Sequence, residues 1–275
     1  MWAIGIMVGK SPFSLASPNP DRNPVITAAD ITDIDASFVA DPFMVQAKGR
    51  WYMFFEVLPK NSTIGKIGFA TSDDGFTWSY RQTVLSEPFH LSYPHVFEYN
   101  GEFYMTPETL DAEAVRLYVA ESFPDRWRLI ADLIPIRAAD PSVFQHNGRW
   151  WLFACTARGN DVLRLYHADH LLGAWTEHSR SPILAGDPHR ARPAGRVVAF
   201  NQHVIRLAQD CWPKYGQCVR AFQIQELTID SYSEKELFHG PVLGGTGSGW
   251  NANRMHHADV HCLAENSWIA CVDGR

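Results

Sequence analysis

The feature that most constrains this chain is a hairpin that recurs. Ala40-Asp41-Pro42-Phe43 opens a short apolar strand that reaches a Lys48-Gly49 turn and returns through Trp51-Tyr52-Met53-Phe54-Phe55 to Glu56. Ala139-Asp140-Pro141-Ser142 opens a near copy, which turns at Asn147-Gly148 and returns through Trp150-Trp151-Leu152-Phe153. Short runs rich in aromatic and β-branched residues, joined by Lys-Gly or Asn-Gly, read as antiparallel β-hairpins.

Weaker copies fill the rest of the chain. Tyr93-Pro94-His95 leads through Asn100-Gly101 to Thr106-Pro107-Glu108, and Arg192-Pro193-Ala194-Gly195 leads through Asn201-Gln202 to Gln209-Asp210. A fifth runs from His256-His257-Ala258-Asp259 through Glu265-Asn266 to Asp273. Further strands follow the hairpins, as in Lys66–Ser72, Leu117–Ala120 and Leu165–Ala168, and Phe76-Thr77-Trp78 reads as a fourth strand after the first hairpin. Units of about four strands at roughly fifty-residue spacing are the signature of a β-propeller. The fold expected is therefore all-β, a single five-bladed propeller over residues 1–275. The last unit stops after two strands, so the orphan strand Trp2-Ala3-Ile4-Gly5-Ile6 is expected to complete it and close the ring. Asn23-Pro24-Val25-Ile26 is a candidate short strand.

Composition excludes several functions. The formal charge is −6 and no basic stripe appears, so neither nucleic acid nor an anionic membrane surface is an expected partner. No apolar run approaches the ~20 residues of a membrane span. The start lacks a basic segment followed by a long apolar one, which predicts no signal peptide and a cytoplasmic location. Cys155, Cys211, Cys218, Cys262 and Cys271 are odd in number and lie mostly within apolar strands, the pattern of free buried thiols. A Cys211–Cys218 bridge stays open.

In a propeller the first strand of each blade lines the central channel, so the start of strand one and the end of strand two open on one face. The residues that fall there are Asp41 and Glu56, His95 and Glu108, Asp140 and Arg158, Arg192 with Gln209 and Asp210, and His256, His257 and Asp273. Asp-Pro alone is an ordinary turn opener, and a Glu at a strand end is ordinarily just solvated. Convergence of carboxylates, His and Arg on one mouth is what raises a chemical reading, because crowded carboxylates acquire different pKa values.

These motifs resemble those of the five-bladed propeller glycosidases: the arabinanase/β-xylosidase and invertase/levansucrase families and the β-mannoside phosphorylases. Ala40–Phe43, Thr106–Glu108, Ala139–Ser142, Arg192–Gly195 and His256-His257 with Trp268–Gly274 more specifically resemble the propeller region of glucosamine inositolphosphorylceramide transferase-like proteins. The resemblance implies that Asp41 is the base or nucleophile and Asp140 the residue that tunes and orients. It implies an acid at Glu108, with Glu56 the other candidate, since no Glu stands at the fourth-blade mouth where the arabinanases carry theirs. Glu56, Tyr93, His95, Arg158, Arg192, Gln209, Asp210 and His257 would hold sugar hydroxyls or an anionic substituent. His257 resembles a channel His that faces calcium or water in several arabinanases, so calcium near His257 is the one cofactor implied and no protein metal ligand is assigned. The expected partner is a glycan or glycoside, with a separate transferase domain or protein as a second. The expected activity is glycoside hydrolysis. Glycosyl transfer, phosphorolysis, or a glycan-binding platform without catalysis are the alternatives.

Overall fold

The computed structural model describes residues 1–275, the side chain of Pro20 excepted. Five antiparallel sheets form a five-bladed β-propeller. The first blade runs outward through Ala36–Ala47, Arg50–Pro59, Lys66–Ser72 and Ser79–Leu85. The second uses Ser92–Tyr99, Glu102–Glu108, Val115–Ser122 and Arg126–Ile134. The third is built on Ala139–His146, Arg149–Cys155 and Val162–Ala168. In the fourth, the inner strand is broken into Arg192–Pro193 and Val198–Phe200, both paired with His203–Asp210. Cys218–Leu227 follows outward.

The ring closes as the sequence predicts. Ala3–Gly9 pairs antiparallel with Ser267–Gly274, from Ala3 opposite Gly274 to Gly9 opposite Trp268, and Ala258–Ala264 lies inside it. Leu15–Ala16 adds the outermost strand. Asn23–Ile26 is not a strand; Ile26 makes one bridge to Ile4. Phe76-Thr77-Trp78 is not one either. Asp74 accepts hydrogen bonds from the backbone N–H of Phe76 and Thr77, which folds that stretch into a turn and delays the fourth strand to Ser79. All five cysteines are free. Among the described residues, no helix is long and apolar enough to cross a membrane.

The central channel is a packed core. Phe43 meets the rings of Tyr93, His95 and His257 at centroid distances of 4.8, 5.0 and 4.7 Å. At the end carrying the hairpin turns, Arg196 closes it by donating to Asp259 and to the carbonyls of Met44 and Val96. Burial opposes the charge on Asp259, but Arg196 and His261 hold its carboxyl well below the usual range.

Candidate functional site

The same local irregularity builds that mouth three times. Ala40 pairs with Glu56 and Phe43 with Phe54, so Asp41 and Pro42 together oppose the single Phe55. Ser92–His95 against Glu108–Thr106 and Ala139–Ser142 against Cys155–Phe153 repeat the bulge. At each bulge the residue before proline is left-handed: Asp41 at φ 52°, Tyr93 at 47° and Asp140 at 50°. Proline disfavours that conformation in its predecessor, and strain of this kind persists only where the surroundings enforce it.

At Asp41 the enforcement is visible. Its backbone N–H donates to Oδ2 of Asp273 at 3.1 Å. Oδ1 of Asp273 accepts from His256 Nδ1 at 2.7 Å and from the backbone N–H of His256 and His257, each at 3.1 Å. His256 is thus oriented so that Nε2 faces Oδ1 of Asp41, 3.6 Å away. Burial works against a charged His256, but Asp273 and Asp41 outweigh it and raise its pKa. Burial pushes Asp41 up to about 7; His256 opposes the rise, while Asp140 and Asp273 add to it. Oδ1 of Asp41 is buried and has no hydrogen-bond partner.

Across the mouth lies a second cluster. Arg192 forks onto Asp140, Nε to Oδ2 at 2.6 Å and Nη2 to Oδ1 at 3.1 Å, and also reaches Glu108 Oε2 at 3.2 Å and Asn160 Oδ1 at 2.8 Å. Gln209 Nε2 donates to Asp140 Oδ2 at 2.8 Å, and Glu108 Oε2 accepts the Asp140 N–H at 3.3 Å. Both oxygens of Asp140 accept charge-assisted or amide hydrogen bonds. Burial pushes its pKa up to about 7 against the pull of Arg192. Tyr215 bridges the clusters, with the Arg192 guanidinium 5.0 Å from its ring centre and the His256 ring at 5.3 Å. Trp2 stacks on His256 at 4.2 Å.

Glu56 differs from both clusters. Oε1 is buried without a hydrogen-bond partner. Burial, and then the charges of Asp41, Glu108, Asp273 and Asp140, push its pKa well above the usual carboxylate range.

Of the residues expected at the mouth, Asp41, Glu56, Glu108, Asp140, Arg192 and Gln209 converge there. Tyr93 is a strut below it, where its hydroxyl accepts from Gly195 N at 2.7 Å and contacts Ser142 Oγ at 2.8 Å. His95 lies deeper, accepting from Val143 N, and burial lowers its pKa to about 3. His257 also points inward, with Nε2 2.9 Å from Pro42 O, while His256 takes the mouth position. Asp210 faces away, to Arg220 and His189. Arg158 is exposed on the loop beyond Cys155, because register makes Cys155 the third-blade equivalent of Glu56 and Glu108. Asn160, two residues further on, is the loop's contribution to the site. Asn160 and Tyr215 carry no motif and were not legible from spacing.

The residues present do not suit calcium, which takes six to eight oxygens. His257 offers one unpartnered nitrogen, Nδ1. Ligating atoms of Asp41, His256 and Asp273 lie within 4.8 Å of one another. Asp273 is already committed to four hydrogen bonds, leaving Asp41 Oδ1 and His256 Nε2 as the open pair, fewer than a zinc site requires.

Residues 1–275 match the family described as glucosamine inositolphosphorylceramide transferase 1, N-terminal. Glucosamine inositolphosphorylceramide transferase 1 of Oryza sativa subsp. japonica is 38% identical over 295 residues, covering 99% of this chain and 40% of its own length. The Arabidopsis thaliana protein of that name is 35% identical, with 99% and 39% coverage. The chain thus spans about 40% of the length of these curated relatives. Among solved structures, a β-1,2-mannobiose phosphorylase from Listeria innocua superposes with a TM-score of 0.68 at 11% identity, covering 93% of this chain and 95% of its own. A family 117 glycoside hydrolase from Zobellia galactanivorans does so at 0.60 and 16%, with 88% and 87% coverage. At such identities the likeness is one of fold.

Proposed function

The chain belongs to the glucosamine inositolphosphorylceramide transferase 1 N-terminal family, and on that premise we propose that its acidic mouth is a carbohydrate site with glycoside-cleaving chemistry. The observation that carries this is Asp41: a strained, buried carboxyl titrating near neutrality, with one oxygen left open beside His256. Cleavage of a glycosidic bond by two carboxyls needs one ionised and one protonated at working pH. Asp41 suits the base. Glu56, whose carboxyl burial and the neighbouring carboxylates push well above the usual range, suits the acid better than Glu108, whose Oε2 is engaged by Arg192 and the Asp140 N–H. Asp140, gripped by Arg192 and Gln209, orients. The open oxygen of Asp41 is an acceptor when ionised, which suits a ligand rich in hydroxyl or amine donors.

A second reading has its own support. The matched relatives are named as transferases, and this chain spans about 40% of their length. The propeller would then hold a glycan for a transferase domain outside it.

A panel of aryl glycosides, glucosaminides and mannosides included, separates these readings when assayed with and without inorganic phosphate. Phosphate-independent release of the aglycone, lost in Asp41→Asn, is the expected result. Release that requires phosphate would assign phosphorolysis. Glycan binding without turnover would assign the platform.

A further inference from the structure

On its outer side Glu56 meets two loops. One follows the second strand of the first blade and carries Thr63 and Gly65; the other links the first blade to the second and carries His90. The loops are tied by Leu91 N–H donating to Gly65 O at 3.1 Å. His90 Nε2 lies 3.5 Å from Glu56 Oε1, the oxygen without a hydrogen-bond partner. The His90 side chain is 31% exposed and that of Glu56 only 7%, so the imidazole spans from solvent to a buried acid. Gly65 makes the approach possible: a Cβ there would stand 2.9 Å from both Glu56 Oε1 and His90 Cε1.

The other ring nitrogen has two backbone partners of opposite kind. Nδ1 is 3.0 Å from the Gly65 N–H and 3.1 Å from the Thr63 carbonyl. When Nδ1 lacks a proton it accepts from Gly65; when it carries one it donates to Thr63. The backbone accommodates either tautomer, and either leaves Nε2 turned to Glu56.

The geometry points to His90 as a proton relay that serves Glu56 from solvent, acting through Glu56 and not on the substrate. This role rests on the assignment of the mouth to proton transfer and deepens it. In the cationic ring, Nδ1–H donates to Thr63 O and Nε2–H faces Glu56. After Glu56 has given its proton to a leaving-group oxygen, Nε2 passes its proton to Oε1 and His90 is left neutral with its proton on Nδ1. Solvent then returns a proton to Nε2. Asp41 on the same blade and Glu108, Asp140 and Asp273 on other blades surround Glu56, and their charge favours return of the proton.

The test has two arms. His90→Gln is assayed on whichever aryl glycoside the native chain cleaves, with and without added imidazole. A fall in kcat of about tenfold or more, with KM and Tm unchanged and imidazole restoring the rate, is expected. An unchanged kcat, or a loss that imidazole does not relieve, overturns the relay. The second arm needs no substrate: the 15N titration of His90 is followed in the native chain and in Glu56→Gln. Proton sharing gives two macroscopic steps in the native chain and one in the variant. One identical step in both overturns the relay even where glycosides are cleaved. Two native steps with no turnover of any glycoside uphold the His90–Glu56 pair and overturn the glycosidase assignment instead.

Discussion

Asp41 and Asp273 are joined across the seam of the ring: the N–H of the residue that opens the first blade donates to the carboxylate near the end of the fifth, at 3.1 Å. The bond holds Asp41 left-handed before a proline, and the same carboxylate orients His256 toward Asp41. Closure of the fold and preparation of the mouth thus depend on one side chain.

Asp273→Asn should therefore cost more than a surface change. Asp273 accepts four hydrogen bonds in full burial, and charge-assisted bonds contribute about 1.5–3 kcal/mol each, non-additively. Its pKa is lowered: burial opposes this, but His256 and the hydrogen bonds prevail. A depressed carboxyl stabilises the fold above its unfolded value and loses that contribution as pH falls through the folded one. Melting temperatures across pH should show the deficit of the variant at neutral pH and its shrinkage in acid. A variant as stable as the native chain at pH 7 would remove Asp273 from this role.

Asp41 has the opposite sign. Held near 7 in the fold against about 3.9 when unfolded, it binds its proton more tightly in the native state. Its contribution is full below about pH 4 and is lost as pH rises through about 7. Asp41→Asn should accordingly raise Tm by a few degrees at pH 8 and change it little at pH 4. Thermal melts at the two values decide it, and a variant destabilised at pH 8 would mean that the Asp41 charge is compensated.

Arg192 neutralises Asp140 and Glu108 in a nearly enclosed setting. Arg192→Met would leave those carboxylates uncompensated, at a cost of about 3–5 kcal/mol. Arg192→Lys should recover only part of this, because an ammonium cannot reproduce the fork onto Asp140. Denaturant midpoints for the two variants provide the check; full recovery by Lys would show that charge alone matters.

The strand Ala3–Gly9 supplies the third position of the last blade. Deleting residues 1–9 would bare the edge of Ser267–Gly274. Loss of soluble monomer, read by size-exclusion chromatography, is expected. A monomeric variant with unchanged Tm would show that this strand does not hold the ring together.

Much of this architecture was legible because its signals are local. Asp-Pro openings, Gly turns and aromatic return strands repeat, and ring closure follows from a hairpin that lacks partners. What failed depended on register or on distant contacts. Arg158 was expected where Cys155 stands, although Asp140 to Cys155 repeats the sequence spacing of Asp41 to Glu56 and of Tyr93 to Glu108. His256 and His257 are neighbours in sequence, and only the folded chain shows which ring faces the mouth. Asp259 carries no motif of its own in the sequence, and only the folded chain pairs it with Arg196. His90 and Gly65 belong to loops whose meaning lies in the contact between them.

The most direct test of the mouth as a proton-transfer site is the pH dependence of kcat/KM for the native chain and Asp41→Asn on one cleaved aryl glycoside. Native activity should rise through an apparent pKa near 7, the value of the Asp41 environment. The variant should lose about 10²–10⁴ in rate while binding the glycoside unchanged. Full turnover by Asp41→Asn, with the same pH profile as the native chain, would contradict the assignment.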